Sequence, residues 1–157
     1  MKRVAVGEKA PGFSLPNQHA QKICLEDFKG EKSIVLFFYP ADESPICTRE
    51  ACAFRDAYQD FNDAGAVVIG ISSDKIEKHQ IFASNHQLPF HLLSDNEGSL
   101  RKAFGVPRSL GLLPGRVTYV IDPRGIVRHL FSAQFSAERH VQEALKIVYQ
   151  IEKEESQ

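Results

Sequence analysis

Ser33-Ile34-Val35-Leu36-Phe37-Phe38-Tyr39-Pro40-Ala41-Asp42-Glu43-Ser44-Pro45-Ile46-Cys47-Thr48-Arg49-Glu50-Ala51-Cys52 is the stretch on which the fold turns. The run from Ser33 to Tyr39 is almost wholly apolar and rich in β-branched and aromatic side chains, which at that length favours a buried strand over a helix. Pro40 ends it. A short polar loop follows, and then a helix begins: Ser44 suits an N-cap, and Pro45 suits the first helical position, where its missing N–H is not needed. Apolar Ala51, Phe54, Tyr58 and Phe61 recur at spacings of three and four, so the predicted helix runs from about Pro45 to Ala64. In α/β folds, sites lie beyond the carboxyl ends of strands, which directs attention to the loop after Tyr39.

Outward from this unit, three more segments read as strands: Ala66–Ser72, Arg116–Ile121 and Ile126–Phe131. Pro89–Leu93 is a weaker strand. Phe13-Ser14-Leu15 and Lys22-Ile23-Cys24-Leu25 suggest a small N-terminal hairpin. Asp122-Pro123-Arg124-Gly125 is a hairpin turn, with Pro presetting φ and Gly accepting the conformation other residues resist. Helical patterns cover about Ile76 to Asn85, Ser99 to Phe104 and Ala137 to Glu152. The order predicts an α/β fold with a mixed central sheet: parallel where a helix joins the first two long strands, antiparallel at the hairpin, with helices on both faces. The thioredoxin-like fold has this order.

The chain has 157 residues, the size of one domain (1–157), with about 152–157 as a charged, frayed tail. Hydrophobic residues are 43% and charged residues 25%, ordinary for a globular protein. Nineteen Lys and Arg against 20 Asp and Glu give a net charge of −1, so there is no electrostatic reason to expect nucleic acid or an anionic membrane as partner. No apolar run approaches the ~20 residues of a membrane helix. The basic start, Met1-Lys2-Arg3, lacks the apolar core of a signal peptide. Three cysteines, an odd number in a chain of this length, argue for reduced thiols rather than a secreted disulfide framework. The expectation is a cytoplasmic protein, with a removed organelle-import sequence as the alternative left open.

With Ser44 as N-cap, Cys47 is the third residue of the helix. Unused backbone N–H groups and the positive end of the helix dipole favour an anion there, and the thiolate is the reactive form of cysteine. Cys52 follows five residues later, ~140° around an intact helix and ~7.5 Å along it. A disulfide needs Cα atoms within about 7 Å and converging side chains, so if this pair oxidises, the first turns must unwind. The four-residue gap is not the two-residue gap of thioredoxin-type pairs or zinc knuckles, and no second Cys/His cluster completes a metal site. His79 and His86 are expected to face solvent or cap a helix. Cys24, in an apolar alternating segment, reads as structural. Phe37, Phe38, Phe54, Phe104 and Leu112-Leu113 read as core rather than as an apolar entrance.

The stretch resembles the peroxiredoxins, whose signature is proline, three residues, threonine or serine, two residues, cysteine: here Pro40, Ser44 and Cys47. The Cys-x-x-x-x-Cys pair is similar to that of the peroxiredoxin Q, or bacterioferritin comigratory protein, branch. The likeness continues through Ala5–Phe13, Gly70–Asp74, Leu93–Asp95 and Leu113–Asp122. The resemblance implies a thiol peroxidase in which Cys47 attacks the peroxide and Cys52 resolves the sulfenic acid as an intramolecular disulfide. It implies further that Arg116 stabilises the thiolate and the departing oxygen, that Pro40 shields the thiolate from water, and that Glu50 orients Arg116. Ser44 stands where most members carry threonine. It keeps the hydroxyl and lacks the methyl that fixes its rotamer. Implied partners are a peroxide and a thioredoxin or glutaredoxin-like reductant, with no cofactor and no metal. Resolution within one chain makes a monomer the natural expectation. Three other readings remain: a peroxide sensor using the same residues, an interaction or chaperone module indifferent to Cys47, and a dithiol-exchange enzyme. The wide cysteine spacing and Pro114-Gly115-Arg116 disfavour the last.

Overall fold

A computed structural model describes residues 3–106, 115–133 and 136–156. The expected Leu112-Leu113 and Pro114 features lie outside them. The central sheet has five strands: β3 (Ser33–Phe38), β4 (Ala66–Ser72), β5 (His91–Ser94), β6 (Val117–Ile121) and β7 (Val127–Ser132), in the order β5-β4-β3-β6-β7. β3 pairs parallel with β4, and β4 with β5; β3 pairs antiparallel with β6, and β6 with β7. The sheet is therefore mixed, as the element order predicts. β1 (Ser14–Pro16) and β2 (Lys22–Cys24) form the separate N-terminal hairpin.

Period-two alternation sorts β3 between two cores. Val35 and Phe37 face one, and Ile34, Leu36 and Phe38 face the other. Both faces are buried, which is why the segment is apolar throughout. The first face carries α1 (Pro45–Asp56), α2 (Tyr58–Asp63), α3 (Ile76–His86) and α5 (Ala137–Glu155). The second is covered by the short α4 (Ser99–Phe104) and by Phe13, Ile23 and Leu25 of the N-terminal segment. Helices lie on both faces, very unevenly.

Two boundaries differ from expectation. The helix predicted over Pro45 to Ala64 is broken at Ala57 (φ −97°, ψ 5°), and the bend keeps the Phe54 and Phe61 rings 5.9 Å apart in one core. At the other end α5 reaches Glu155 instead of fraying at 152, because Ile151 is buried and Arg128 Nη2 donates to Glu154 Oε2 at 2.6 Å. The Asp122–Gly125 turn forms as predicted, with Gly125 at φ 87° and Asp122 Oδ1 accepting from the Arg124 and Ile126 amides.

Two features of the sheet position the site. Gly70 lies beside Phe37 in the β3–β4 register, and a Cβ there would stand 2.8 Å from Phe37 Cζ. The absent side chain lets Phe37 lie flat and stack on Phe54 of α1 at 4.6 Å. The β3–β6 register pairs Phe38 with Val117, so Arg116, one residue earlier, emerges beside the end of β3 where α1 begins.

Candidate active site

Cys47 lies on the inward face of α1 with Glu50, Ala51 and Phe54, the i, i+3, i+4, i+7 positions of one stripe. It is 1% exposed. Ser44 is the N-cap residue by position, but its hydroxyl does not cap: Oγ donates to the Ala41 carbonyl at 3.1 Å, and no side-chain cap bond closes the turn. The first intrahelical bond is Thr48 N–H to Ser44 O, so the Ile46 and Cys47 amides precede the helix's own ladder. Pro40 is half-buried at the exit of β3.

Arg116, 2% exposed, joins the two ends of this arrangement. Its Nη2 donates to Cys47 Sγ at 3.3 Å and its Nη1 donates to Glu50 Oε1 at 2.9 Å. Burial opposes its charge, but Glu50 and Cys47 outweigh burial and hold the guanidinium above its ordinary value. Glu50 is wholly buried, on the inward side of α1. Burial pushes its carboxyl up to about 7, against the pull of Arg116. Behind it stands His140 of α5, also fully buried. Its Nδ1 is 2.8 Å from Thr118 Oγ1 and 3.5 Å from Glu50 Oε2, and its Nε2 is 2.9 Å from Ala133 O. Burial brings the imidazole down to about 4. Cys52 is half-buried, on another side of the helix, beside a groove of about 400 Å³ lined by Arg49, Ala53, Asp56, Glu138 and Val141. All three cysteines are thiols. Cys24 Sγ rests 3.4 Å from Ser14 Oγ, in line with a structural role.

A second buried network holds the loop between β3 and α1. Asp42 accepts from Tyr39 Oη at 2.6 Å through Oδ1, and its Oδ2 is 2.6 Å from His79 Nδ1. His79 Nε2 lies 3.1 Å from Leu93 O. A carbonyl only accepts, so Nε2 carries a proton, and another proton lies between Nδ1 and Asp42. The Asp42 amide donates to Asp74 Oδ2 at 2.7 Å. The expectation that His79 faces solvent is thus wrong: it is 0% exposed, because α3 turns it onto the loop. His86 is nearer expectation, in the last turn of α3 and bonded to Glu43. Asp42, Asp74 and His79 bring ligand atoms within 4.8 Å of one another, but those atoms already serve these protein hydrogen bonds.

The AhpC/TSA family model matches residues 6–130. The chain belongs to that family, in its peroxiredoxin Q branch. It is 50% identical over 147 residues to "Peroxiredoxin Q, chloroplastic" of Triticum aestivum, covering 93% of this chain and 67% of that one. It is 49% identical to the protein of the same name from Sedum lineare, covering 93% and 78%. Among solved structures it is similar to peroxidoxin BcpB from Mycobacterium tuberculosis, at 36% identity and TM-score 0.86 over 93% of this chain and 97% of that one. The fold is the thioredoxin-like fold of the peroxiredoxins, and the activity is that of a thiol peroxidase.

Of the residues singled out in the sequence, the structure brings Cys47, Arg116 and Glu50 into one bonded cluster and leaves Cys52 outside it. His140, Thr118, Asp42 and the role of His79 were not legible. His140 had a faint signal: it interrupts the apolar stripe Ala137, Val141, Ala144, Val148, Ile151 of α5.

Proposed function

We propose that this single domain, 1–157, reduces hydrogen peroxide and organic hydroperoxides through Cys47, with Cys52 resolving the product. The observation that carries the reading is the Arg116 guanidinium 3.3 Å from a buried thiol in the first turn of a helix, where charge and amides both favour the thiolate. The thiolate attacks the terminal peroxide oxygen, the O–O bond breaks, Cys47 becomes a sulfenic acid, and the alkoxide or hydroxide takes a proton to leave as alcohol or water. In this reading Arg116, the first-turn amides and the Ser44 hydroxyl, once turned from the Ala41 carbonyl it meets at 3.1 Å, hold the oxygen on which charge develops, and Pro40 limits water. Glu50 orients Arg116.

Cys52 then attacks the sulfenic sulfur, forming the disulfide and releasing water. Because Cys47 and Cys52 stand on different sides of α1, this step requires its first turns to unwind. An external dithiol of the thioredoxin or glutaredoxin type regenerates both thiols by exchange. All reacting sulfurs belong to one chain, so a monomer suffices. The compartment proposed is a reducing one: the cytoplasm, as the sequence suggests, or the chloroplast, in which the relatives are named.

The test is peptide-mapped mass spectrometry of reduced protein quenched within milliseconds of adding one equivalent of hydrogen peroxide. A rapid Cys47–Cys52 disulfide is expected, with sulfenic acid trapped at Cys47 in Cys52→Ser. Slow oxidation spread evenly over Cys24, Cys47 and Cys52 would overturn the reading.

A further inference from the structure

Glu50 Oε2 is buried and makes no hydrogen bond among the described residues, although its partner oxygen is held by Arg116. A buried carboxylate oxygen left without a partner is costly, so its surroundings should reveal which protonation state the site favours. His140 Nδ1 stands 3.5 Å from it. His140 Nε2 faces the Ala133 carbonyl, which only accepts, so Nε2 carries the ring's proton. The ring is neutral near pH 7, since burial brings it to about 4. Its Nδ1 is then a lone-pair acceptor, already taking the Thr118 hydroxyl proton at 2.8 Å. That lone pair is occupied and Nε2 is committed to Ala133, so His140 offers Glu50 Oε2 neither a donor nor a positive charge, and a carboxylate oxygen there stays uncompensated where a neutral carboxyl does not.

On the reading that Cys47 is the peroxidatic thiol, we propose that His140 is a positioning residue which stabilises the protonated form of Glu50, so that the Arg116 charge is given to Cys47 rather than to Glu50. Arg116 bonds both groups, and one guanidinium satisfies two anions less well than one. Ionisation of Cys47 is therefore linked to protonation of Glu50: thiol plus carboxylate becomes thiolate plus carboxyl. When the thiolate attacks ROOH, the sulfenic acid carries no charge and Arg116 returns to Glu50. Glu50 releases its proton, matching the one that RO⁻ takes up to leave as ROH, so charge and protons balance over the step. The groups surrounding Glu50 are Cys47 on its own helix, Arg116 before β6, Thr118 on β6 and His140 on α5. Arg139 of α5 and His129 of β7 act on His140 from farther away. Burial, which raises Glu50 to about 7 against the pull of Arg116, favours the same protonated form.

The experiment measures the pH dependence of iodoacetamide alkylation at Cys47 by peptide-resolved mass spectrometry on the full chain, with Cys24 as internal control. Glu50→Gln, permanently neutral, should speed Cys47 alkylation roughly tenfold below the wild-type midpoint. His140→Phe keeps a ring against Phe131, from which His140 stands 4.7 Å, and removes Nδ1. It should slow alkylation roughly tenfold in wild type. In the Glu50→Gln background the same change should have almost no effect, because no Glu50 proton is left to stabilise. An equal effect of His140→Phe in both backgrounds, or none in either, overturns the proposal. If His140→Phe does not fold, Glu50→Gln decides alone: unchanged or slower alkylation overturns it. Failure of the underlying reading looks different, since Cys47 would then alkylate no faster than Cys24 at any pH.

Discussion

Two buried polar networks flank Cys47, and they are built to opposite specifications. On the loop side, both Asp42 oxygens and both His79 nitrogens have partners, and the Asp42 amide is tied to Asp74. On the helix side, Arg116 and one Glu50 oxygen are bonded, while Glu50 Oε2 faces His140 at 3.5 Å without a hydrogen bond. A fully satisfied buried network has one low-energy state and rigidifies what it touches; a partly satisfied one has a second protonation state close in energy. The first therefore acts as a pin on the loop from which α1 starts. The second can change its charge while the thiol reacts.

The comparison can be broken in several places. The largest effect is expected from Asp42→Ala, which leaves His79 buried beside a missing partner. Loss of one member of a buried charged pair costs about 3–5 kcal/mol, to be read from the urea midpoint at constant m-value. A loss below about 1 kcal/mol would remove the pin. Next comes Arg116→Gln, which takes the cation from the sulfur: peroxide turnover should fall by about 10²–10³-fold, the scale of losing one donor aimed at a developing oxyanion. Stopped-flow peroxide reduction checks this, and an unchanged rate would deny Arg116 its place.

A smaller effect separates the protonation states. Glu50 is raised from 4.5 to about 7, so its contribution to stability is full below 4.5 and is lost as pH rises towards 7. His140 is lowered from 6.5 to about 4, so its contribution is full above 6.5 and is lost as pH falls towards 4. In wild type these two contributions oppose each other and nearly cancel between these limits. Relative to wild type, Glu50→Gln should leave a rise with pH, and His140→Phe a fall, each of roughly 3 kcal/mol at most across the window. Parallel curves for all three proteins would show that the pair does not titrate as described. The smallest effect belongs to Glu43→Gln, at the exposed edge of the pinned loop. Its bonds to Asn85 and His86 are solvent-accessible, so a loss under about 1 kcal/mol is expected in the same urea assay.

The mixed sheet and the N-terminal hairpin could be anticipated because each leaves a local trace, whereas the places of Arg116 and Glu50 beside Cys47 were implied by the family resemblance alone. Continuous apolar runs mark doubly covered strands, Pro and Gly mark the turns, and the proline–serine–cysteine spacing marks a helix start. Errors arose where a local pattern had two outcomes. The apolar spacing of α1 and α2 is the same with or without a bend at Ala57, and a histidine seven residues from another says nothing about which faces the core.

The sequence by itself determined the fold class, through the order of its apolar runs and helical patterns, and the place of Cys47 in the first turn of a helix with Cys52 on another side, through helix geometry along one segment. Only the tertiary structure decided that Glu50 and His140 share one buried corner and that Asp42 and His79 pin the loop. Those contacts join residues 90 and 37 positions apart (140 − 50 and 79 − 42), through the β3–β6 register and the packing of α3 and α5. The protonation state of such a carboxyl is set by the dielectric and the neighbours that the fold brings to it, and neither is written near it in the chain.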